Sequence, residues 1–426
     1  MNSYQFLKNL PQARAAGQCV GITSVCSAHP IVIRAALRQG LSDDAPVLIE
    51  ATCNQVNQDG GYTGMTPADF RAFVEREAGE VGFPKDRILF GGDHLGPNPW
   101  KSLPAEEALA KAEVMVGEFV RAGFCKIHVD TSMGCVGEPV ALSDEQTAER
   151  AVRLVKAAEA ARRADMDPPL YIIGTEVPVP GGAVESLDHM QVTDPAAARR
   201  TVEIHRNAFA QAGLEDAWRQ VIGLVVQPGV EFGHDAVIIY KPEAAQALSA
   251  ALDDFPGFVF EAHSTDYQPL AALSTLVRDG FMILKVGPEL TFVLREALYG
   301  LDEIARELGL SKGHPSLKSV VESVMRADPI HWKNYYSGTD LELYVQRHYS
   351  LSDRIRYYWP NKQVEIAVNY LLARLEGVNI PAPLIRQYIP GIIKSDECLS
   401  CANTAEVLLE EAVMMSLNRY KRAVKA

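Results

Sequence analysis

The feature that most constrains this chain is a repeat of short apolar runs, each ending in polar residues and followed by a helical pattern. Eight such runs occur, at 20–25, 47–50, 87–90, 126–129, 170–173, 221–226, 258–260 and 281–284. They are too short for buried helices and largely apolar, as strands covered on both faces are. The intervening segments carry helix starts. Thr66-Pro67, Asp194-Pro195 and Pro242 place a proline at a first helical turn, and Ser143 with Gln146 three residues on is placed for a capping box. Strand and helix alternating eight times is the pattern of a closed parallel (β/α)₈ barrel. A doubly wound open sheet is the alternative, because strand count does not prove closure. No dinucleotide glycine fingerprint follows the first run, and no Walker A loop occurs.

The alternation stops near residue 310. The division expected is a (β/α)₈ barrel over 1–310 and a helical C-terminal extension over 311–426 that packs on it, with helices near 318–326, 363–375 and 405–422. A net charge of −13 without any Lys/Arg-rich run argues against a nucleic-acid partner, while leaving room for a local basic pocket. No apolar stretch reaches the length of about 18 residues that a membrane span needs. The N-terminal segment lacks a basic-then-apolar signal pattern. Seven scattered cysteines form no disulfide framework, and Cys398 and Cys401 have CxxC spacing without a second pair. A cytoplasmic protein, associated as a homo-oligomer, is the expectation.

Barrel enzymes keep their chemistry at the carboxyl ends of the strands. Those ends offer His29, Glu50, Asn54, Asp93, His94, Asp130, Glu176, Gln227, His234, Glu261, His263, Asp266 and Lys285. Three histidines beyond the third, sixth and seventh strands (His94, His234 and His263), with Glu176 beyond the fifth, can converge on one ion in a closed barrel. Three imidazoles and a carboxylate suit Zn²⁺, with Mn²⁺, Co²⁺ or Ni²⁺ as substitutes. The other reading is a set of unrelated rim residues. His128 lies within the fourth strand and reads as a packed histidine. In the extension, Arg354 and Arg356 stand among tyrosines. They either clamp a phosphate or dock the tail on the barrel.

Nine motifs in order, among them GITSVCSAHP, EATCNQVNQDGGYTGMTPADF, GGDHLGPNPW, GTEVPVPGG, VVQPGVEFGHD, EAHSTDYQ and YSLSDRIRYYWP, cover nearly the whole chain. Through them the sequence resembles the non-catalytic subunit family of class II tagatose-bisphosphate aldolases in galactitol and N-acetylgalactosamine catabolism. That family includes ketohexose-phosphate epimerases, and some members are labelled tagatose 6-phosphate kinases. The resemblance implies a class II aldolase-like barrel. It also implies that Asp93 is a catalytic acid–base group beside the metal ligand His94, that His234 and His263 complete the metal set, and that Glu176 stands where some class II aldolases have a carboxylate that supports or replaces a metal ligand. Carboxylates on opposite faces of a substrate would help the chemistry, and Glu176 or Asp130 is the candidate to join Asp93. Asn54, Gln227, Lys285, Gly287, Arg354 and Arg356 are the candidates for holding substrate and phosphate.

The implied activity is metal-dependent 4-epimerisation of D-tagatose 6-phosphate to D-fructose 6-phosphate by retro-aldol and aldol steps. An accessory role beside a class II aldolase subunit is the alternative. A kinase is the least supported, since the sequence lacks a glycine-rich phosphate loop.

Overall fold

The computed structural model describes residues 2–174, 191–392 and 404–425. The eight apolar runs form the strands β1 (Ile22–Cys26), β2 (Val47–Thr52), β3 (Ile88–Leu95), β4 (Lys126–Val129), β5 (Leu170–Ile173), β6 (Val221–Val226), β7 (Val259–Ala262) and β8 (Phe281–Val286). All neighbouring pairs are parallel, and β1 bonds to both β2 and β8. The sheet is therefore a closed barrel, and the open-sheet alternative falls. A two-residue antiparallel ribbon, Glu231–Phe232 with Val237–Ile238, stands in the loop after β6.

Period-two alternation decides what each strand puts inside. At the amino end the interior is aliphatic, with Ile22, Leu48, Leu89, Leu170, Ile222, Val259 and Ile283 in one cluster. Tyr4, Leu7 and Leu10 of the N-terminal helices pack into the same cluster and close that end. Two residues further along several strands the interior turns charged: Glu50, Lys126, Glu261 and Lys285, none more than 5% exposed. Apolar packing at one end and paired charges in the middle leave the chemistry at the carboxyl mouth.

Seven outer helices follow their strands in the ordinary way, from Pro30–Asp43 to Leu270–Arg278. Helix Ala405–Val424 packs between Leu270–Arg278 and Pro30–Asp43 and also touches β1, which fills the eighth place in the ring. Ion pairs of Glu410 with Arg34 and Arg38 fix it, together with the Tyr420 hydroxyl, which donates to the Thr265 carbonyl at 2.7 Å. The helix that follows β8, Pro288–Glu307, lies against Ala405–Val424 and against Lys362–Leu375 and Ala382–Tyr388 of the extension. Among the described residues no helix is long and apolar enough to cross a membrane.

Candidate active site

The site is built where β3 breaks its alternation. Gly92 pairs with Ile127 and Leu95 with Val129, so Asp93 and His94 together stand opposite His128 alone. Such a bulge re-aims side chains at a strand end. His94 takes the left-handed conformation, φ 49°, which is costly for a residue with a Cβ and recurs at functional sites. The glycine before the bulge matters as well. A Cβ on Gly91 would lie 2.6 Å from the Glu50 Cγ, so only glycine leaves room for that carboxylate.

Asp93, His94, His128 and His263 converge, each offering one ligand atom, and these atoms all lie within 4.8 Å of one another. The rings of His94, His128 and His263 stand 4.8–5.1 Å apart, edge to face. Asp130 Oδ2 lies 2.9 Å from His94 Nδ1 and itself takes the Ser132 hydroxyl on Oδ1. Glu261 Oε1 lies 2.9 Å from His263 Nε2, and Asp93 Oδ1 lies 3.0 Å from His128 Nδ1. Each imidazole thus has a carboxylate behind one nitrogen, the arrangement that orients metal-binding histidines.

Beneath them, Lys126 Nζ bridges Glu50 at 2.6 Å and Glu261 at 2.7 Å. Lys285 Nζ contacts Asp93, Glu50 at 3.0 Å and Glu261 at 3.4 Å. Burial alone would raise the Asp93 and Glu261 carboxyls, but the surrounding cations and hydrogen bonds hold both well below the usual range. Burial likewise works against the Lys285 ammonium, yet three carboxylates hold its pKa well above the usual lysine value. Burial, and then Lys285, push the His263 imidazole well below its ordinary value, and burial lowers His128. Burial pushes Asp130 up, but the His94 hydrogen bond and charge, with His128 and Ser132, together bring it down to about 2.

A divalent cation fits this set. Among the described residues His128 Nε2 is buried without a hydrogen-bond partner, an orphan that a metal bond would satisfy. Four acidic side chains, Glu50, Asp93, Asp130 and Glu261, stand here against two basic ones, Lys126 and Lys285, so the set is acidic on balance. Imidazole and carboxylate donors suit Zn²⁺ and its first-row neighbours.

The mouth opens into a cavity of about 500 Å³, the size of a small-molecule site. Asp93, His94, His263 and Lys285 line its floor, while Asn54, Gly287 and Arg356 contribute to its walls. Other expected residues stand elsewhere. His234 turns to the extension, with Nδ1 3.0 Å from the Ser350 hydroxyl and its ring edge-on to Tyr336, because the ribbon after β6 carries it off the barrel axis. His128 replaces it in the converging set, so its reading as a packed histidine is corrected. Asp130 lies behind His94 instead of lining the cavity. Gln227 accepts from the N–H groups of Gly229 and Val230 and braces its own loop. Arg354 donates to the His331 carbonyl and stacks on Tyr335, both within the extension, and so braces that segment internally. Lys285 is engaged by three carboxylates and is not free for a phosphate. Glu176, with Cys398 and Cys401, lies outside the described residues. Sequence reasoning did not single out Lys126. The signal available was a charged residue at an inward position of a strand otherwise deeply apolar.

A closed (β/α)₈ barrel with an acid–imidazole set at its carboxyl mouth has the layout of a barrel enzyme. Within that class, the model of the family described as "D-tagatose-1,6-bisphosphate aldolase subunit GatZ/KbaZ-like" matches residues 7–425, and the chain belongs to this GatZ/KbaZ-like family. It is 57% identical over 384 residues to the D-tagatose 6-phosphate 4-epimerase of Agrobacterium fabrum (strain C58 / ATCC 33970), spanning 90% of each chain. A solved structure of a probable tagatose 6 phosphate kinase from Sinorhizobium meliloti 1021 is similar at 53% identity and TM-score 0.88, over 95% of this chain and 100% of that one. The fructose-bisphosphate aldolase of Campylobacter jejuni is a distant likeness, at 13% identity and TM-score 0.44 over 88% and 93% of the two chains.

Proposed function

We propose that the chain is a metal-dependent epimerase that interconverts D-tagatose 6-phosphate and D-fructose 6-phosphate by breaking and remaking the C3–C4 bond. The observation that carries this reading is its 57% identity to an enzyme of that name across nine-tenths of both chains. The chemistry narrows the route. The hydrogen on C4 is β to the C2 carbonyl and is not acidic, so direct deprotonation there has no stabilised carbanion. Removing the C4 hydroxyl proton instead lets the C3–C4 bond break. The bonding pair passes to C3 and the C2 oxygen as the enediolate of dihydroxyacetone, and C4 becomes the aldehyde of glyceraldehyde 3-phosphate. The aldehyde turns its opposite face to C3, the bond re-forms, and the proton returns to the new C4 oxygen.

Asp93 is the group assigned to that proton. It is ionised, lines the cavity and stands beside His94. The Lys285 ammonium, in contact with it, offers positive charge to the enediolate. Held protonated by three carboxylates, Lys285 is no nucleophile, which argues against an imine route. A divalent ion held by His94, His128 and His263 beside Asp93 would supply Lewis-acid polarisation of the C2 carbonyl, with Zn²⁺ placed ahead of Mn²⁺, Co²⁺ and Ni²⁺.

A purely accessory role beside an aldolase leaves the buried charges without purpose, since sequestering ions from water costs stability. The test is direct: purified protein with Zn²⁺ or Mn²⁺ and D-tagatose 6-phosphate, assayed for D-fructose 6-phosphate. Asp93→Asn should fold normally and lose at least about a hundredfold in turnover, the scale of general-base catalysis. Wild-type protein that epimerises nothing with any divalent metal, yet raises the activity of a partner aldolase, would establish the accessory role instead.

A further inference from the structure

The place where barrels often hold a phosphate is already occupied in this chain. Asp266 Oδ1 accepts the backbone N–H groups of Gly287 at 3.0 Å and Glu289 at 2.8 Å, which caps the helix after β8 with a carboxylate. The phosphate end of a substrate must be met elsewhere in the cavity. Its wall carries the cationic side chains Arg34, Lys285 and Arg356 among the described residues. Lys285 is held by Asp93, Glu50 and Glu261, and Arg34 by Glu77 and Glu410. Arg356 differs. Among the described residues no carboxylate lies within ion-pair reach of it, and its buried Nη1 has no hydrogen-bond partner there. Its Nη2 donates to the Tyr357 hydroxyl at 3.0 Å, and the Tyr62 ring stands 4.8 Å from that of Tyr357. Asp353 and Asp266 act on it from beyond ion-pair distance. A guanidinium nitrogen out of water with no direct acidic partner is costly, and an anion with several oxygens is the ligand that supplies one.

Resting on the epimerase reading for the identity of the sugar, we infer that Arg356, presented by the extension's turn Arg354–Tyr357, is the anchor for the substrate's 6-phosphate. The extension thereby supplies specificity for phosphorylated ketoses, while the barrel supplies the bond chemistry. The motif that supplies two arginines, one on each side of Ile355, divides its labour: Arg354 braces the turn against the extension and Arg356 faces the cavity.

The test compares wild type, Arg356→Gln and Arg356→Lys of the full chain with D-tagatose 6-phosphate and with D-tagatose. Calorimetric titration with inorganic phosphate runs in parallel. A hydrogen-bonded charge contributes enough for about a 10- to 100-fold effect. Arg356→Gln should raise KM for the phosphorylated sugar by that factor and lower the preference for it over D-tagatose equally. Arg356→Lys, a point charge without the fork, should recover part of the loss. Inorganic phosphate should bind the wild type and be weakened in both variants. A folded Arg356→Gln protein with unchanged preference overturns the inference. If that variant does not fold, unchanged phosphate affinity in Arg356→Lys overturns it. A wild type that epimerises no ketose refutes the proposed function, and phosphate binding that depends on Arg356 would still support the anchor.

Discussion

Asp130 Oδ2 sits 2.9 Å from His94 Nδ1, and this contact decides which nitrogen His94 turns toward the cavity. With Nδ1–H donated to the carboxylate, Nε2 keeps its lone pair for a cation. Asp130→Asn should therefore fold but lose about 10- to 100-fold in metal affinity, the usual cost of removing an orienting partner. Zn²⁺ titration followed by calorimetry measures it. Unchanged affinity would return Asp130 to the list of candidate proton acceptors.

The exchange of His234 for His128 gives a second prediction. A ligand that binds only the folded chain raises its stability by about 2.7 kcal/mol at a hundredfold excess over Kd. Added Zn²⁺ should raise the Tm of the wild type and of His234→Gln, and should leave His128→Gln close to its metal-free value. A shift lost in His234→Gln and kept in His128→Gln would restore the ligand set expected from sequence.

Gly91 is required by volume. Its missing Cβ is the space in which Glu50 lies, and Glu50 is itself tied to Lys126 and Lys285. Gly91→Ala should cost about 1–3 kcal/mol as an overpacked core. It should also displace Glu50 from both lysines. Denaturant unfolding checks the first effect and the epimerase assay the second.

Acid stability follows from a histidine far from the site. Burial holds His205 near pKa 4, with its Nδ1 2.9 Å from the Thr201 carbonyl. The unfolded chain takes up this proton near pH 6.5, the folded chain not until about pH 4. Within that window the unfolded state binds more protons. The contribution is therefore fully present above pH 6.5 and declines as pH falls, by up to about 1.4 kcal/mol per pH unit, levelling out below about pH 4. The unfolding free energy of His205→Asn should show a shallower pH dependence across this range. An identical slope would contradict it.

The barrel was legible because buried parallel strands write themselves as short apolar runs, and helix starts punctuate them. Asp93, His94 and His263 were legible for a related reason: each sits at or just past a strand end. His128 was hidden by the same logic, since a histidine inside a strand looks like core. It reaches the site because strand alternation puts it inward together with Lys126 and because the β3 bulge brings two residues to meet it. His234 misled because loop geometry is not written in spacing, and the ribbon after β6 swings it to Ser350. Gly287 reads as a phosphate cradle until Asp266, from the neighbouring strand's loop, is seen to cap it. Contacts between residues distant in sequence decided the places of His128 and Gly287, and a local ribbon decided that of His234.

Helix Ala405–Val424 carries one more implication, for biosynthesis. β8 ends at Val286, yet the helix that covers the seam beside β1 begins only at Ala405. During vectorial synthesis all eight strands emerge before their last covering helix, leaving an apolar flank exposed in the interval. Closure then depends on contacts of long sequence separation, such as the Gly21 N–H with the Val424 carbonyl at 3.0 Å, which form slowly. Nascent chains stalled after β8 are expected to engage chaperones, and truncations before Ala405 to be recovered as aggregates.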